Sequence, residues 1–431
     1  MTPNFPKWPL FAALLFYFAL TAALIARIPL GASPDEAAHW QYVDYLVQNG
    51  KLPVFKGQIP PAPGYEFHQP PLYYALCAPL WKMAGAGVQN YLCRAVSLVC
   101  GLLTIWVIWN AARLVFPSNW RIAGLAAGLS ALWPLHQGIG AGSNNDGLGG
   151  LLCALMFFLV ARLWRYGCVW RDVLLLGLVS GLGILTKNTT LSVAAASFGA
   201  LFFAARGSEN QNTPRPILAV GAAILLMFLV GGPLLARNHV IYGDALAQGV
   251  FKATFRQSSP GPQEFAQIGI DSLDYFSKFV TVAFCTTWGF FGGPNAVITA
   301  TKLFSPRPIL PQIWLVPFMA LFFALPFAAI VGWRKRDEND EEDSTQKAIL
   351  ASFGVGILLV ALAWAQFGAQ YFAGAQARYG HGALLPICIL LAAGWARLWG
   401  NGRALGVAST VVGASLVFLT LLNVFVWKTL V

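Results

Sequence analysis

The chain has 431 residues, 57% of them hydrophobic and only 10% charged, with a mean hydropathy of +0.62. A soluble protein of this length needs far more polar surface, so the composition excludes a water-soluble globular class and points to a polytopic membrane protein. The formal net charge of +11 does not imply nucleic acid, because the basic residues punctuate apolar segments instead of forming a stripe interleaved with aromatics.

In chain order, apolar windows of spanning length fall at roughly 9–29, 92–115, 121–139, 147–164, 173–187, 190–205, 217–236, 311–332, 347–366, 381–399 and 404–427. They predict a single all-α membrane domain over 1–431 with about eleven transmembrane helices. The first window follows Lys7 and is longer than the apolar region of a usual signal peptide, so we read it as an uncleaved anchor. Windows 173–187 and 190–205 are short and meet at Lys187-Asn188-Thr189-Thr190, which predicts a bent pair.

Arg162, Arg165 and Arg171 share one connection, Arg206 and Arg215 another, and Arg334-Lys335-Arg336 follows a third span. By the positive-inside rule these connections, and the N-terminus, are cytoplasmic. The two long connections, 30–90 and 237–310, then lie outside, with interfacial helices expected near 41–48 and 276–291. The acidic run 337–343 reads as a solvated cytoplasmic loop. Seven cysteines without paired spacing argue against a disulfide framework. We find no P-loop or dinucleotide fingerprint, which argues against nucleotide hydrolysis as an energy source.

The unusual residues collect on the outer side. Asp35 and Glu36, in Ser33-Pro34-Asp35-Glu36-Ala37-Ala38-His39-Trp40, follow the first span directly. An apolar wall there can raise a carboxylate pKa and keep it available as a base. The simpler reading is a helix cap, with Ser33 as N-cap, Pro34 in the first turn and acids favoured by the helix dipole. On a helix His39 shares the face of both acids, so Asp35, Glu36 and His39 could hold a divalent metal, although an ordinary interfacial histidine fits as well.

Tyr65-Glu66-Phe67-His68-Gln69-Pro70-Pro71-Leu72-Tyr73-Tyr74 closes the first outer loop and starts an apolar helix. Its His68 and Gln69 offer hydrogen bonds beside aromatic faces, which suits a sugar as well as it suits an aromatic belt. Ser143-Asn144-Asn145-Asp146-Gly147 lies at another outer turn where an acid begins a span, and capping is the ordinary role of such an Asx cluster. Arg94, Lys187, Arg237 and Arg378 are outer-half cations, and each needs a carboxylate, a carbonyl or an anionic ligand such as a lipid phosphate.

Together these motifs resemble the GT-C superfamily of integral-membrane glycosyltransferases. The elements are Pro34-Asp35-Glu36 with His39, His68-Gln69-Pro70-Pro71-Leu72-Tyr73-Tyr74, Asn145-Asp146, Leu185-Thr186-Lys187, Arg237-Asn238 with Tyr242-Gly243-Asp244, and Gln376-Ala377-Arg378-Tyr379. The pattern is similar to the bacterial branch near the protein O-mannosyltransferases and the lipid A aminoarabinose transferases. The resemblance implies a multi-pass protein of a bacterial inner membrane whose site faces the periplasm or cell exterior. It implies a polyprenyl-phosphate-linked sugar as donor and a glycan, lipid or protein as acceptor. Asp35 would be the catalytic base, with Glu36 second to it. His39, His68, Gln69, Tyr73, Asn145 and Asp146 would lie at the substrate, and Lys187, Arg237, Arg378 and Tyr379 at the lipid phosphate. No nucleotide is needed, because the carrier phosphate would be the leaving group, and a divalent metal held by the outer acids is possible. The spans run almost to Val431, so no C-terminal soluble domain is expected. A transporter or flippase of anionic substrates is the main rival, since it uses buried cations and broken helices equally well. A non-catalytic scaffold has little use for the acid pair.

Overall fold

The structure, a computed structural model, describes residues 5–59, 62–207, 214–256, 259–288, 315–335, 343–400 and 402–430, with the backbone alone for 315–322 and 422–430. The secondary structure of the described residues is entirely helical. Among the described residues seven helices are long and apolar enough to cross a membrane, and Trp120–Leu132, Thr190–Arg206 and Phe323–Arg334 are shorter apolar ones.

In order, α1 spans Trp8–Arg27, α2 Glu36–Asn49, α3 Leu72–Met83, α4 Val88–Val115, α5 Trp120–Leu132, α6 Pro134–Ala141, α7 Asp146–Tyr166, α8 Trp170–Ile184, α9 Thr190–Arg206 and α10 Pro216–Tyr242. Then come α11 (Gln248–Phe255), α12 (Pro262–Gln267), α13 (Ser272–Thr287), α14 (Leu315–Arg334), α15 (Ser344–Gly368), two 3₁₀ turns (Phe372–Ala375 and Ala377–Ala383), α16 (Leu384–Trp399) and α17 (Arg403–Leu430).

Over their described residues, the apolar windows expected to span fall largely on helix, and the window 121–139 is broken. The window 121–139 divides at Trp133-Pro134, because proline at the first position of α6 removes the N–H that a continuous helix would need. In the first long connection, 30–90, the helix expected near 41–48 is present as α2 and is longer than predicted. The apolar α3 was expected only as a helix start. In the second, α13 covers 272–287, and the remainder of the stretch 276–291 lies outside the described residues except Trp288. Of the acidic run, Asp343 alone is described; it caps α15 and pairs with Arg165.

The core is built where helices bury small residues against one another. α8 and α10 approach so closely that a Cβ on Gly177 would stand 2.5 Å from the carbonyl oxygen of Ala223. With lipid outside, such contact relies on dispersion and shape, which glycine permits by removing the side chain. Large apolar residues such as Phe11, Leu15, Leu225 and Leu229 stay exposed, as a helix bundle solvated by hydrocarbon requires. The C-terminal end of α1, the N-terminal end of α7, the α8–α9 turn and the Ala377–Ala383 turn gather at one end of the bundle, joined by the site below. Arg165, Arg206 and Arg334 stand in the last turns of α7, α9 and α14.

Candidate active site

The turn Ser33-Pro34-Asp35 does not cap its helix in the expected way. Helix α2 begins at Glu36, and Asp35 takes a left-handed backbone, φ 60°, with no cap bond from its side chain. That conformation costs an L-residue about 1–2 kcal/mol, less for aspartate, and its carbonyl still accepts from the N–H groups of Ala38 and His39 at 3.0 Å. The carboxylate is thereby free for partners elsewhere. Its Oδ2 accepts from Arg378 at 2.7 Å and its Oδ1 from the Tyr65 hydroxyl at 3.2 Å. Burial pushes the Asp35 carboxyl up, but the charges of Arg378 and His39 and the hydrogen bonds from Arg378 and Tyr65 outweigh it and hold the group below the usual range.

Glu36 lies on a different partner set. It is fully buried, as is Arg94, whose Nε and Nη2 donate to both its oxygens at 2.8 and 2.7 Å. The N–H groups of Gly31 and Ser143 also donate to it, both at 2.9 Å. Arg94 in turn donates to the carbonyls of Ile25, Ile28 and Pro29 at the end of α1. Glu36, expected as a second catalytic carboxylate, is thus saturated by bonds that tie α1, α2, α4 and the α6–α7 turn together.

The α6–α7 turn divides its work between neighbours. Asn144 supplies the cap, its Oδ1 accepting from the N–H groups of Asp146 and Gly147 at 2.9 and 3.3 Å. Asp146 is therefore spared capping and pairs with Lys187. Arg378 reaches Asp146 as well, at 3.8 Å. Asp35, Arg378, Asp146 and Lys187 thus form one chain of alternating charge. The Tyr379 ring lies beside both cations, 5.6 Å from Lys187 Nζ and 5.5 Å from the Arg378 guanidinium. A narrow cavity lined by Ser33, Pro34, Gly138, Ile139, Asn144, Asp146 and Arg378 adjoins them.

The Ala377–Ala383 turn that presents Arg378 is pinned from two sides. The N–H of Ala377 donates to Thr286 of α13 at 2.8 Å, and the indole of Trp364 in α15 donates to the carbonyl of Gly374. Within the turn, the buried ring of His381 faces His136 of α6 at 3.0 Å.

His39 is buried, with its Nδ1 2.8 Å from the Tyr74 hydroxyl and its ring stacked on that tyrosine. Burial drives its pKa down to about 4, so it is neutral near pH 7. Gln69 accepts from Asn145 at 3.0 Å and links the first outer loop to the α6–α7 turn. His68 bonds the carbonyl of Tyr65 and sits among the rings of Phe55, Phe251 and Phe255. Two predicted residues stand apart from this group. Tyr73 is fully buried, with its hydroxyl 3.0 Å from both the Cys93 carbonyl and Ser97, so it packs α3 on α4. Arg237 donates to the carbonyls of Leu52 and Pro53 and secures the outer loop rather than joining the other cations.

The expected metal set is not assembled. Asp35 turns to Arg378, Glu36 to Arg94 and His39 to Tyr74, and among the described residues no three metal-ligating side chains converge. Glu66 was missed as a candidate. It is buried, and its Oε2 has no hydrogen-bond partner. Its place among aromatics, with no cation near it in sequence, was the available signal.

The fold is that of the GT-C membrane glycosyltransferases, which bears out the resemblance carried by the motifs. A family model described as dolichyl-phosphate-mannose-protein mannosyltransferase matches residues 68–231. Among solved structures, the chain is similar to the Archaeoglobus fulgidus oligosaccharyltransferase in complex with Zn and sulfate, with TM-score 0.55 and 14% identity over 97% of this chain and 53% of that one. It is similar to the same organism's AglB in complex with an inhibitory peptide and a dolichol-phosphate, with TM-score 0.54 and 14% identity over 97% of this chain and 55% of that one. A looser likeness, TM-score 0.43 and 15% identity over 91% and 77% of the two chains, relates it to ArnT from Cupriavidus metallidurans bound to undecaprenyl phosphate. The chain spans about half the length of the oligosaccharyltransferase structures. No curated protein sequence matches.

Proposed function

We propose that this protein transfers a sugar from a polyprenyl-phosphate carrier to an acceptor hydroxyl of a glycan, lipid or protein, at the outer face of a bacterial inner membrane and within a single transmembrane domain. The observation that carries the reading is the contact of Arg378 with both Asp35 and Asp146. It joins a base candidate and a cation pair from distant parts of the chain.

A carrier phosphate would compete with the carboxylates for Arg378, which grips it as a fork, while Lys187 acts as a point charge. The Nε of Arg378 is buried without a partner, so it has a donor to offer. Drawing the guanidinium toward phosphate would loosen its hold on Asp35 and return basicity to that carboxylate. Asp35 would then take the proton of the acceptor hydroxyl as its oxygen bonds to the anomeric carbon. The bond from that carbon to the phosphate oxygen breaks, and the phosphate departs with the electron pair onto the two cations. One displacement inverts the anomeric centre, and a nearby carboxylate stabilises the oxocarbenium-like transition state.

The test is an assay of the purified chain with a panel of polyprenyl-phosphate sugars, using the parent, Asp35→Asn and Arg378→Ala. We expect transfer by the parent alone, with an inverted anomer in the product. Movement of lipid-linked sugar across vesicles without formation of a glycosidic bond would replace this reading by the transporter.

A further inference from the structure

We propose that Glu66 is a specificity-determining residue of this site, its carboxyl group exchanging hydrogen bonds with a hydroxyl of the sugar that the site handles. The inference rests on the glycosyl-transfer reading above. It begins from an unmet bond: Glu66 is 7% exposed and its Oε2 has no partner. A buried carboxyl oxygen left without a partner costs about 1–3 kcal/mol, a cost that a bound ligand removes.

Its neighbours on either side place it at the site. Tyr65 donates to Asp35, Gln69 accepts from Asn145, and the turn that carries them is held by the Gly64 N–H on Gln41 at 2.8 Å. The charged groups facing Glu66 come from three other elements: Asp35 before α2, Arg378 in the 3₁₀ turn and Lys187 between α8 and α9. Tyr74 of α3 and Tyr379 also sense its charge. Burial first, and then the Asp35 carboxylate, push the Glu66 carboxyl up to about 8, against a side-chain hydrogen bond from Gln69 and the charges of Arg378 and Lys187.

Near pH 7 the group is therefore mostly the neutral acid, with one O–H donor and a carbonyl acceptor, which is the complement of a hydroxyl. An ionised carboxylate would select a cationic group instead. The cations of the site attract phosphate, so an uncharged acid beside them can read the sugar without repelling the carrier. Both donor ring and acceptor carry hydroxyls, and the experiment separates them.

The probes are undecaprenyl phosphate, undecaprenyl-phosphate hexose and a soluble acceptor glycan, measured for binding to the parent, Glu66→Gln and Glu66→Leu. For a hydroxyl on the donor ring, Glu66→Leu should bind the sugar-free lipid within about twofold of the parent. It should bind the hexose-bearing lipid about 10- to 100-fold more weakly, as loss of one buried hydrogen bond predicts. If the hydroxyl belongs to the acceptor, the same loss falls on acceptor binding and spares both lipids. Glu66→Gln, which keeps a donor and an acceptor, should stay close to the parent. Raising the pH through about 8 should weaken the affected binding in the parent and leave it flat in Glu66→Gln. Parent-like binding of all three probes by Glu66→Leu would overturn the proposal and leave the glycosyl-transfer reading standing. Tighter binding above that pH would do the same, by indicating a cationic ligand. A parent that binds neither lipid would overturn both.

Discussion

At the residue scale, Asp35 and Glu36 stand side by side in sequence and meet opposite fates, which makes them separable by mutation. Asp35→Asn keeps the shape and removes the base, so transfer should fall by about 10²- to 10⁴-fold with the fold intact. Activity assay with thermal unfolding on the same sample checks it, and transfer at the parent rate would sink the assignment. Glu36→Ala should act on stability, because it strands the buried Arg94 charge and two backbone N–H groups. The expected loss is about 3–5 kcal/mol, read as a lowered melting temperature in detergent. For pH, Asp35 has a lowered folded pKa, so the stability from its pair with Arg378 is present above about 4 and disappears as pH falls through the lowered value. His39 adds a second acid-side loss, because between about 6.5 and 4 the unfolded chain binds a proton that the buried neutral ring does not. Unfolding measured against pH should therefore steepen on the acid side, and His39→Gln should remove its own share of the loss above pH 4, the buried His68 keeping another. Asp35 was legible from its place after an apolar span. The sealing of Glu36 was not, because Arg94 is 58 residues away and sequence offers several other cations for the pairing.

At the element scale, periodicity and length located the helices, whereas the break at Pro134 and the 3₁₀ turn that holds Arg378 were hidden. The apolar run 121–139 continues through the break, and only the kinked backbone shows that α5 and α6 are separate. Capping by the Asx cluster 143–147 was expected, but not which of its members performs it. Asn144 performs it, and Asp146 is available for Lys187, a division that requires knowing how the turn folds. The 3₁₀ turn depends on one glycine of α7: a Cβ on Gly150 would lie 2.4 Å from Cε1 of His381, three residues beyond Arg378. Gly150→Ala should push His381 and its turn aside and misplace the guanidinium. An error of about 1 Å in a positioned group costs about 10²-fold in rate. We expect the loss in kcat at the near-parent melting temperature, with part of it restored by adding His381→Ala, which vacates the space. Full activity in Gly150→Ala would show that the turn tolerates the shift.

At the scale of the whole molecule, sequence pattern could arrange the segments along the chain and across a membrane, and the resemblance grouped 35, 146, 187 and 378, but periodicity and composition alone could not bring them into one place. That convergence depends on helix packing through small residues, which leaves only a diffuse trace in composition. The sidedness we propose for the converged site rests on charge: Arg165, Arg206 and Arg334 in the final turns of α7, α9 and α14 oppose the end that carries Asp35. By the positive-inside rule Asp35 is then expected outside, where the proposed lipid-linked donor would be used without nucleotide. The seven native cysteines are all buried, so newly introduced ones can be read against a quiet background. Lys51, after α2, and Arg171, in α8, are both exposed and lie at opposite ends of this arrangement. In intact cells a membrane-impermeant maleimide should label Lys51→Cys and leave Arg171→Cys untouched until the membrane is opened. The reverse pattern would put the Asp35–Arg378 pair on the cytoplasmic face and force the donor to be one presented there. Labelling of both before permeabilisation would break the link between the basic connections and the inner side on which the orientation stands.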